Sequence, residues 1–313
     1  MATVRAAQAD SVPVVISRRK ARWRRFPYLP YLLALPILAY EALFILYPIY
    51  QGVQSSFTKQ TIGKPATWVG TANYRRLIHD DNFWHSVQQT TIYMVAVIVV
   101  ALAFGLGSAL LLNRPFHGRT IARATMTLPW AFPDVPTVLV FIWVLNPNFG
   151  VANRLTGTLP FVSEHQKWLL DPNLAMPLVV LITAWKGFPF YSLVILAALQ
   201  TVPQELTEAA RVDGANKFQA FWAVTLPCIS PTLLLLTVLA AIFSFKQFTL
   251  VYLLTGGGPA GATDTLVVRI YQTAFRFHNF PYAATIGVAS FVMVITIALL
   301  FLAVQRRQEM AVS

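Results

Sequence analysis

Glu41, Lys186 and Lys246 each interrupt a long apolar run. Ionisable groups inside a bilayer are costly, and they face a bundle interior, water or one another. Lys246 is flanked by Phe245, Gln247 and Phe248, and Lys186 follows Trp185. Such a grouping suits a polyhydroxylated solute: aromatic faces stack on its C–H faces, and an ammonium and an amide bond its hydroxyls. The ammonium would also pair with a phosphate. A structural reading stands beside this one, in which the lysines snorkel or pair with Glu41.

A second polar pattern lies at 208–227, reading Glu-Ala-Ala-Arg-Val-Asp-Gly, nine residues, then Val-Thr-Leu-Pro. Local rules predict two short helices. Thr201 and Gln204 have capping-box spacing, with Pro203 in the first turn. Glu205 and Glu208 lie near the positive end of the helix dipole. Ala209 and Ala210 are small enough to let another surface approach. Gly214 fits the position after a helix C-terminus, where a left-handed backbone costs glycine nothing. Phe218, Phe221, Trp222 and Thr225 follow at helical spacing, and Pro227 and Pro231 predict the turn into the next span. On physics alone this island also reads as an amphipathic connector resting on the membrane face.

Enzymatic constellations are absent. The five histidines are scattered without metal-ligand spacing. Asp80-Asp81 has no second carboxylate cluster to make a transferase metal site, and a helix cap explains it better. Gly256-Gly257-Gly258-Pro259 lacks the Gly-Lys-Ser/Thr of a nucleotide-binding loop, so this chain cannot itself be an ATPase; the run predicts a turn ending the fifth helix. The single cysteine, Cys228, allows no intrachain disulfide.

The elements that must position these residues are membrane spans. Charged residues make up 12% of the chain and mean hydropathy is +0.58, whereas soluble proteins carry roughly 25% charge. Six segments reach the ~20 apolar residues a bilayer requires, near 29–50, 91–112, 124–145, 175–199, 231–253 and 283–304. The third and fifth are interrupted by prolines and polar residues, and Glu41 reads as the only acid well inside a span. Lys and Arg outnumber Asp and Glu by 24 to 12, with Arg18, Arg19, Lys20, Arg22, Arg24 and Arg25 clustered before the first span. That bias puts both termini in the cytoplasm, and it argues against a basic face for nucleic acid. Trp68, Tyr74, Phe83 and Trp84 fit short interfacial helices within 66–90. The predicted organisation is a basic cytoplasmic segment (1–27), a permease domain (28–305) containing the loop 201–230, and a cytoplasmic tail (306–313).

The 208–227 pattern resembles the EAA loop of binding-protein-dependent ABC importer permeases: Glu-Ala-Ala, three residues, Gly, nine residues, Ile, one residue, Leu-Pro. Glu208, Ala209, Ala210, Gly214, Leu226 and Pro227 match in register, and Val224 replaces the isoleucine. Asp213-Gly214-Ala215, the run Leu254–Pro259 and the stretch Tyr271–Phe275 resemble the carbohydrate-uptake branch, the relatives of the maltose permease subunits. The resemblance covers about residues 27–305.

The resemblance implies an all-α polytopic membrane protein with six transmembrane helices and a cytoplasmic coupling helix. It implies a non-catalytic subunit in the plasma (inner) membrane, with no cofactor of its own; ATP and Mg would be held by two cytoplasmic ATPase subunits. Glu208 would interact with such a subunit, and Gly214 would allow the sharp turn. The further partners implied are a second homologous permease subunit, an extracytoplasmic solute-binding protein and membrane lipid. The expected solute is an uncharged di- or oligosaccharide or a related polyol, with glycerol phosphate-like acids open. Two other classes compete. A proton-coupled carrier would need inverted repeats and an acidic relay, and a membrane-embedded glycosyltransferase would need a carboxylate or histidine cluster.

Overall fold

A computed structural model describes residues 28–60, 65–157 and 165–312; the predicted basic segment 1–27 lies outside the described residues. The chain divides into two units, one through Ile49 and one from Tyr50. The first carries α1 (Leu29–Glu41), which runs on into a π-turn at Ala42–Leu46. Leu32, Leu35, Leu38 and Leu43 are exposed, and Pro36 lies inside the helix, as membrane helices tolerate. With α2 (Tyr47–Ser56), which runs across the boundary, this apolar stretch is long enough to span.

In the second unit, β1 (Thr58–Lys59) and β2 (Thr67–Trp68) pair antiparallel, followed by α3 (Ala72–Ile78). The second span is α4 (Asp81–Asn113), which starts ten residues before the predicted 91. Phe83 and Trp84 are therefore its first turn and not an interfacial helix. The reason is a cap. Asp80 accepts the Asn82 N–H at 3.0 Å, and its other oxygen takes the Tyr282 hydroxyl at 2.6 Å.

Span three, predicted at 124–145, is broken. α5 (Arg119–Ala131) and α6 (Asp134–Val144) meet at 94°. Phe132 and Pro133 between them are extended, because the residue before a proline is pushed out of the helical region. After α7 (Val151–Thr156) comes α8 (Pro172–Gln200), the fourth span. It packs parallel to α4. The Tyr93 hydroxyl donates to Thr183 at 3.0 Å, and Ser108 donates to Ser192 at 2.8 Å. Gly105 makes this approach possible, since a Cβ there would lie 3.0 Å from Tyr191 Cβ and 3.3 Å from the Ser192 nitrogen.

Two short helices follow, α9 (Gln204–Val212) and α10 (Lys217–Ala220). α10 continues through a π-turn at Phe221–Thr225 into α11 (Leu226–Phe245). Span five therefore occupies Lys217–Phe245, not the predicted 231–253, and no turn forms at Pro227 or Pro231. The π-turn widens the helix just before Pro227, where the ring would otherwise clash with the preceding turn. Ser230 Oγ donates to the Pro227 carbonyl at 2.9 Å, an oxygen that Pro231 leaves without an N–H partner.

The remainder of the predicted fifth span becomes α12 (Thr249–Thr255). It ends at Gly256 and Gly257, with φ of +61° and +90°, so the glycine turn closes this short helix. α13 (Leu266–Tyr271) runs through a π-turn at Gln272–Arg276. α14 (Phe280–Val312) forms the sixth span and continues helically past the predicted boundary at 305. Among the described residues the fold is helical apart from the β1–β2 pair, with six helices or helix pairs long and apolar enough to span, counting the bent pair as one. One core lies between α4, α8 and α11, around Ala101, Ile195 and Leu236, and another around Tyr93, Val138, Val179 and Val251.

Candidate functional site

Two breaks, one in the bent third span and one after α11, face a cavity of about 270 Å³. It is lined by Trp130, Asp134, Thr183, Lys186, Tyr191, Phe243, Ser244, Lys246 and Gln247, among others. Lys186 lies at the middle of α8. Its ammonium bonds Asp134 at 3.1 Å and donates to the Phe132 carbonyl at 2.6 Å. That carbonyl belongs to the broken end of α5, where no helical N–H remains to satisfy it. One cation thus holds both sides of the bend.

Sequence reasoning considers Glu41 as the acid for these lysines and passes over Asp134. The signal for Asp134 was present in Phe132-Pro133-Asp134: a proline followed by an acid opens a new helix inside an apolar run.

Lys246 is not within a span, as predicted, but forms the C-cap of α11. Its ammonium sits 5.0 Å from the Phe243 ring centroid, and the residue is exposed on the cavity side. The cavity brings together Lys186, Lys246 and Gln247 from the sequence-predicted set. The other three lie elsewhere. Phe245 is buried with Leu77, Phe83, Leu266 and Tyr282. Phe248 stacks on Tyr252 with centroids 4.9 Å apart. Trp185 meets the Phe141 ring edge to face at 5.3 Å.

The polar hairpin forms a separate site at the C-terminal end of α8. Its predicted capping box is not at Thr201 and Gln204: Pro203 occupies the N-cap without a side-chain bond, and the Thr201 hydroxyl turns back to the Ala198 carbonyl at 2.8 Å. The box forms instead at the second helix. Asn216 Oδ1 accepts the Gln219 N–H at 2.9 Å, and Gln219 Oε1 accepts the Asn216 N–H at 2.8 Å. Gly214 has φ of +87°. The Gly214 N–H donates to Arg211 at 3.0 Å and the Ala215 N–H to Ala210 at 2.9 Å, the paired closure of a Schellman turn.

Glu208 and Asp213 lie on the first arm and its cap, with Ala209 and Ala210 between them. Leu206, Val212, Phe218 and Trp222 are exposed, so the hairpin shows an apolar surface with charges beside it. Leu226 and Pro227 belong to the rod of α11.

At the opposite end of α4, Asp264 is buried and ion-paired with Arg269 at 2.7 Å. Ser86 donates to the same carboxylate at 3.3 Å. Burial raises the Asp264 pKa, and the Arg269 charge and the Ser86 hydrogen bond oppose it. At Asp80 burial also works upward, but the hydrogen bonds from Tyr282 and the α4 N-terminus win and the pKa falls.

Spans, cavity and hairpin define a multi-pass membrane transport component. The description "Binding-protein-dependent transport system inner membrane component" matches residues 101–312, which contain the hairpin and every cavity-lining residue except Val97. The sulfoquinovosyl glycerol transport system permease protein SmoG of Agrobacterium fabrum is 33% identical over 302 residues, 94% of this chain and 97% of that one. The trehalose/maltose transport system permease protein MalF of Thermococcus litoralis is 32% identical over 282 residues, 89% of this chain and 94% of that one. A crystal structure of a bacterial alginate ABC transporter, bound to its periplasmic protein with an alginate pentasaccharide, contains a chain of the same fold. Its TM-score is 0.78 at 22% identity, over 90% of this chain and 94% of that one. The chain belongs to the binding-protein-dependent transport system inner membrane components, and is a permease subunit.

Proposed function

We propose that this permease serves an ATP-driven importer of a sugar or related polyol, with the Lys186–Lys246 cavity as part of the solute path. The observation that carries the reading is the convergence of two helix breaks on one polar, aromatic-edged cavity. Membrane transporters use broken helices where a solute must meet polar groups at mid-membrane. Trp130, Tyr191 and Phe243 offer ring surface, and Thr183, Gln247 and Lys246 offer hydrogen bonds. Relatives named for sulfoquinovosyl glycerol and trehalose/maltose transport support a polyhydroxylated solute.

In this reading the α9–α10 hairpin docks on a cytoplasmic ATPase subunit, with Glu208 and Asp213 facing it and Gly214 setting the turn. ATP and Mg belong to two such subunits. A second permease subunit completes the solute path, and an extracytoplasmic binding protein delivers the solute. Both termini are cytoplasmic. ATP binding draws the ATPase subunits together, and the spans exchange inward- and outward-facing packings.

The test is solute-stimulated ATPase activity and uptake by the assembled transporter. Gln247→Ala and Trp130→Ala should lower both while leaving assembly intact. Glu208→Lys should lower both by reversing the charge offered to the ATPase subunit. Full activity in all three variants would refute the reading. A reporter fused after Ser313 that is active only outside the cytoplasm would overturn the orientation.

A further inference from the structure

The cavity carries three charged side chains, Asp134, Lys186 and Lys246, and they do not balance. Asp134 is committed to Lys186. Lys246 has no carboxylate partner among the described residues; its ammonium faces the Phe243 ring. A ring face and a helix C-terminus both favour a cation there without neutralising it. When the spans close around a solute and water leaves, an uncompensated ammonium becomes expensive. A neutral sugar leaves that cost in place. A monoanion removes it, and an ammonium with three donors is suited to a carboxylate, phosphate or sulfonate.

We propose that the transported polyol carries a single negative charge, which Lys246 binds, while the Lys186–Asp134 pair only shapes the pocket. This rests on the reading of the cavity as the solute path. It assigns different work to two lysines that look alike in sequence. Lys186 is a positioning residue spent on the bend, and Lys246 reads the solute. Gln247 and Thr183 on the same wall remain for hydroxyl groups.

The experiment uses the complete transporter in proteoliposomes with its loaded binding protein. The probes are disaccharides matched in linkage, with and without a uronic carboxylate, together with glycerate and glycerol. The expected result is ATP-driven uptake of charged members and not of their neutral partners. Lys246→Met should cut that uptake on the order of tenfold, the scale of one hydrogen bond to a charged group, and Lys246→Arg should restore most of it. If Lys246→Met fails to assemble, Lys246→Gln makes the same comparison.

Uptake of neutral members equal to that of charged ones would overturn the proposal. So would a Lys246→Met rate within about twofold of the parent, the scale of an exposed ion pair. Gln247→Ala separates the two levels of argument. If it slows uptake while Lys246→Met does not, the charge assignment falls and the solute path stands. If neither changes uptake, the path lies elsewhere.

Discussion

Gly214 isolates the backbone's share in the hairpin. Its φ is +87°, and an added Cβ would meet nothing within 4 Å. The whole cost of a side chain is therefore conformational, about 1 kcal/mol for alanine and about 3 kcal/mol for a β-branched valine, the upper end for a side chain in this region. Against that stand two Schellman hydrogen bonds, together worth about 2 kcal/mol, and the Asn216–Gln219 box, worth about 1 kcal/mol. Subtraction leaves the hairpin formed in most molecules of Gly214→Ala but near balance in Gly214→Val, with Gly214→Asn between alanine and the parent because asparagine tolerates this region.

Solute-stimulated ATPase activity of the assembled complex should follow that order. Gly214→Ala should stay near the parent, and Gly214→Val should fall by about twofold, since a hairpin near balance is formed in about half the molecules. Gly214→Pro, which fixes φ near −65°, should abolish coupling. Parent-like activity in the valine variant would refute the need for a left-handed turn. Equal, severe loss in alanine, asparagine and valine variants would point to a partner surface pressed against Gly214 and would refute the purely conformational account.

Other expectations concern the spans and their ends. Gly105→Ala should destabilise the protein by about 1–2 kcal/mol in detergent unfolding, because overpacking against the Tyr191 and Ser192 backbone outweighs the helix-propensity gain. Gly107→Ala, with nothing within 4 Å, should be neutral or stabilising, and the reverse order would contradict the packing described. Lys186→Met should cost about 2 kcal/mol by leaving Asp134 and the Phe132 carbonyl without their donor. The double change Lys186→Met with Asp134→Asn should recover part of that in a thermal melt; no recovery would mean that the pair does not hold the bend. The lowered Asp80 pKa contributes stability that is present above the ordinary carboxylate range and lost as pH falls through the folded value. Tyr282→Phe should shrink that acid-side loss in pH-dependent melting, and an unchanged profile would remove Tyr282 from the account.

Hydropathy made the spans legible, because twenty apolar residues have few other uses. The errors fall where a proline had to be interpreted. Pro227 and Pro231 read as the turn into the fifth span, yet a π-turn over Phe221–Thr225 admits Pro227 into a continuous helix that also holds Pro231, and no local rule announces a π-turn. Pro133 signals the break in span three, but the cation that bonds both sides of it is Lys186, 54 residues on from Phe132. The cap of the hairpin went to Asn216 and not Thr201 because Thr201 is taken up in closing α8. Gly214 was read correctly, since its requirement is local. Lys246 stands out in the sequence for its flanking Phe245, Gln247 and Phe248, yet of those three only Gln247 lines its cavity. Phe245 turns away because consecutive residues on a helix point about 100° apart, and Phe248 lies past the end of α11, where it stacks on Tyr252.

The continuous helix from Lys217 to Phe245 has a mechanical consequence. At 1.5 Å per residue it is a rod of about 43 Å, with the hairpin at one end and Lys246 at the other. The π-turn lets the helix continue past Pro227, so no break in the helix separates the two ends. A tilt of about 5° about one end swings the other by roughly 4 Å, by the arithmetic of that length. That is more than the reach of a hydrogen bond. On the proposed reading, small angular work delivered at the hairpin would be enough to bring Lys246 to a solute or carry it away, and stiffness between the two ends, more than any contact at either, would set how faithfully the stroke arrives.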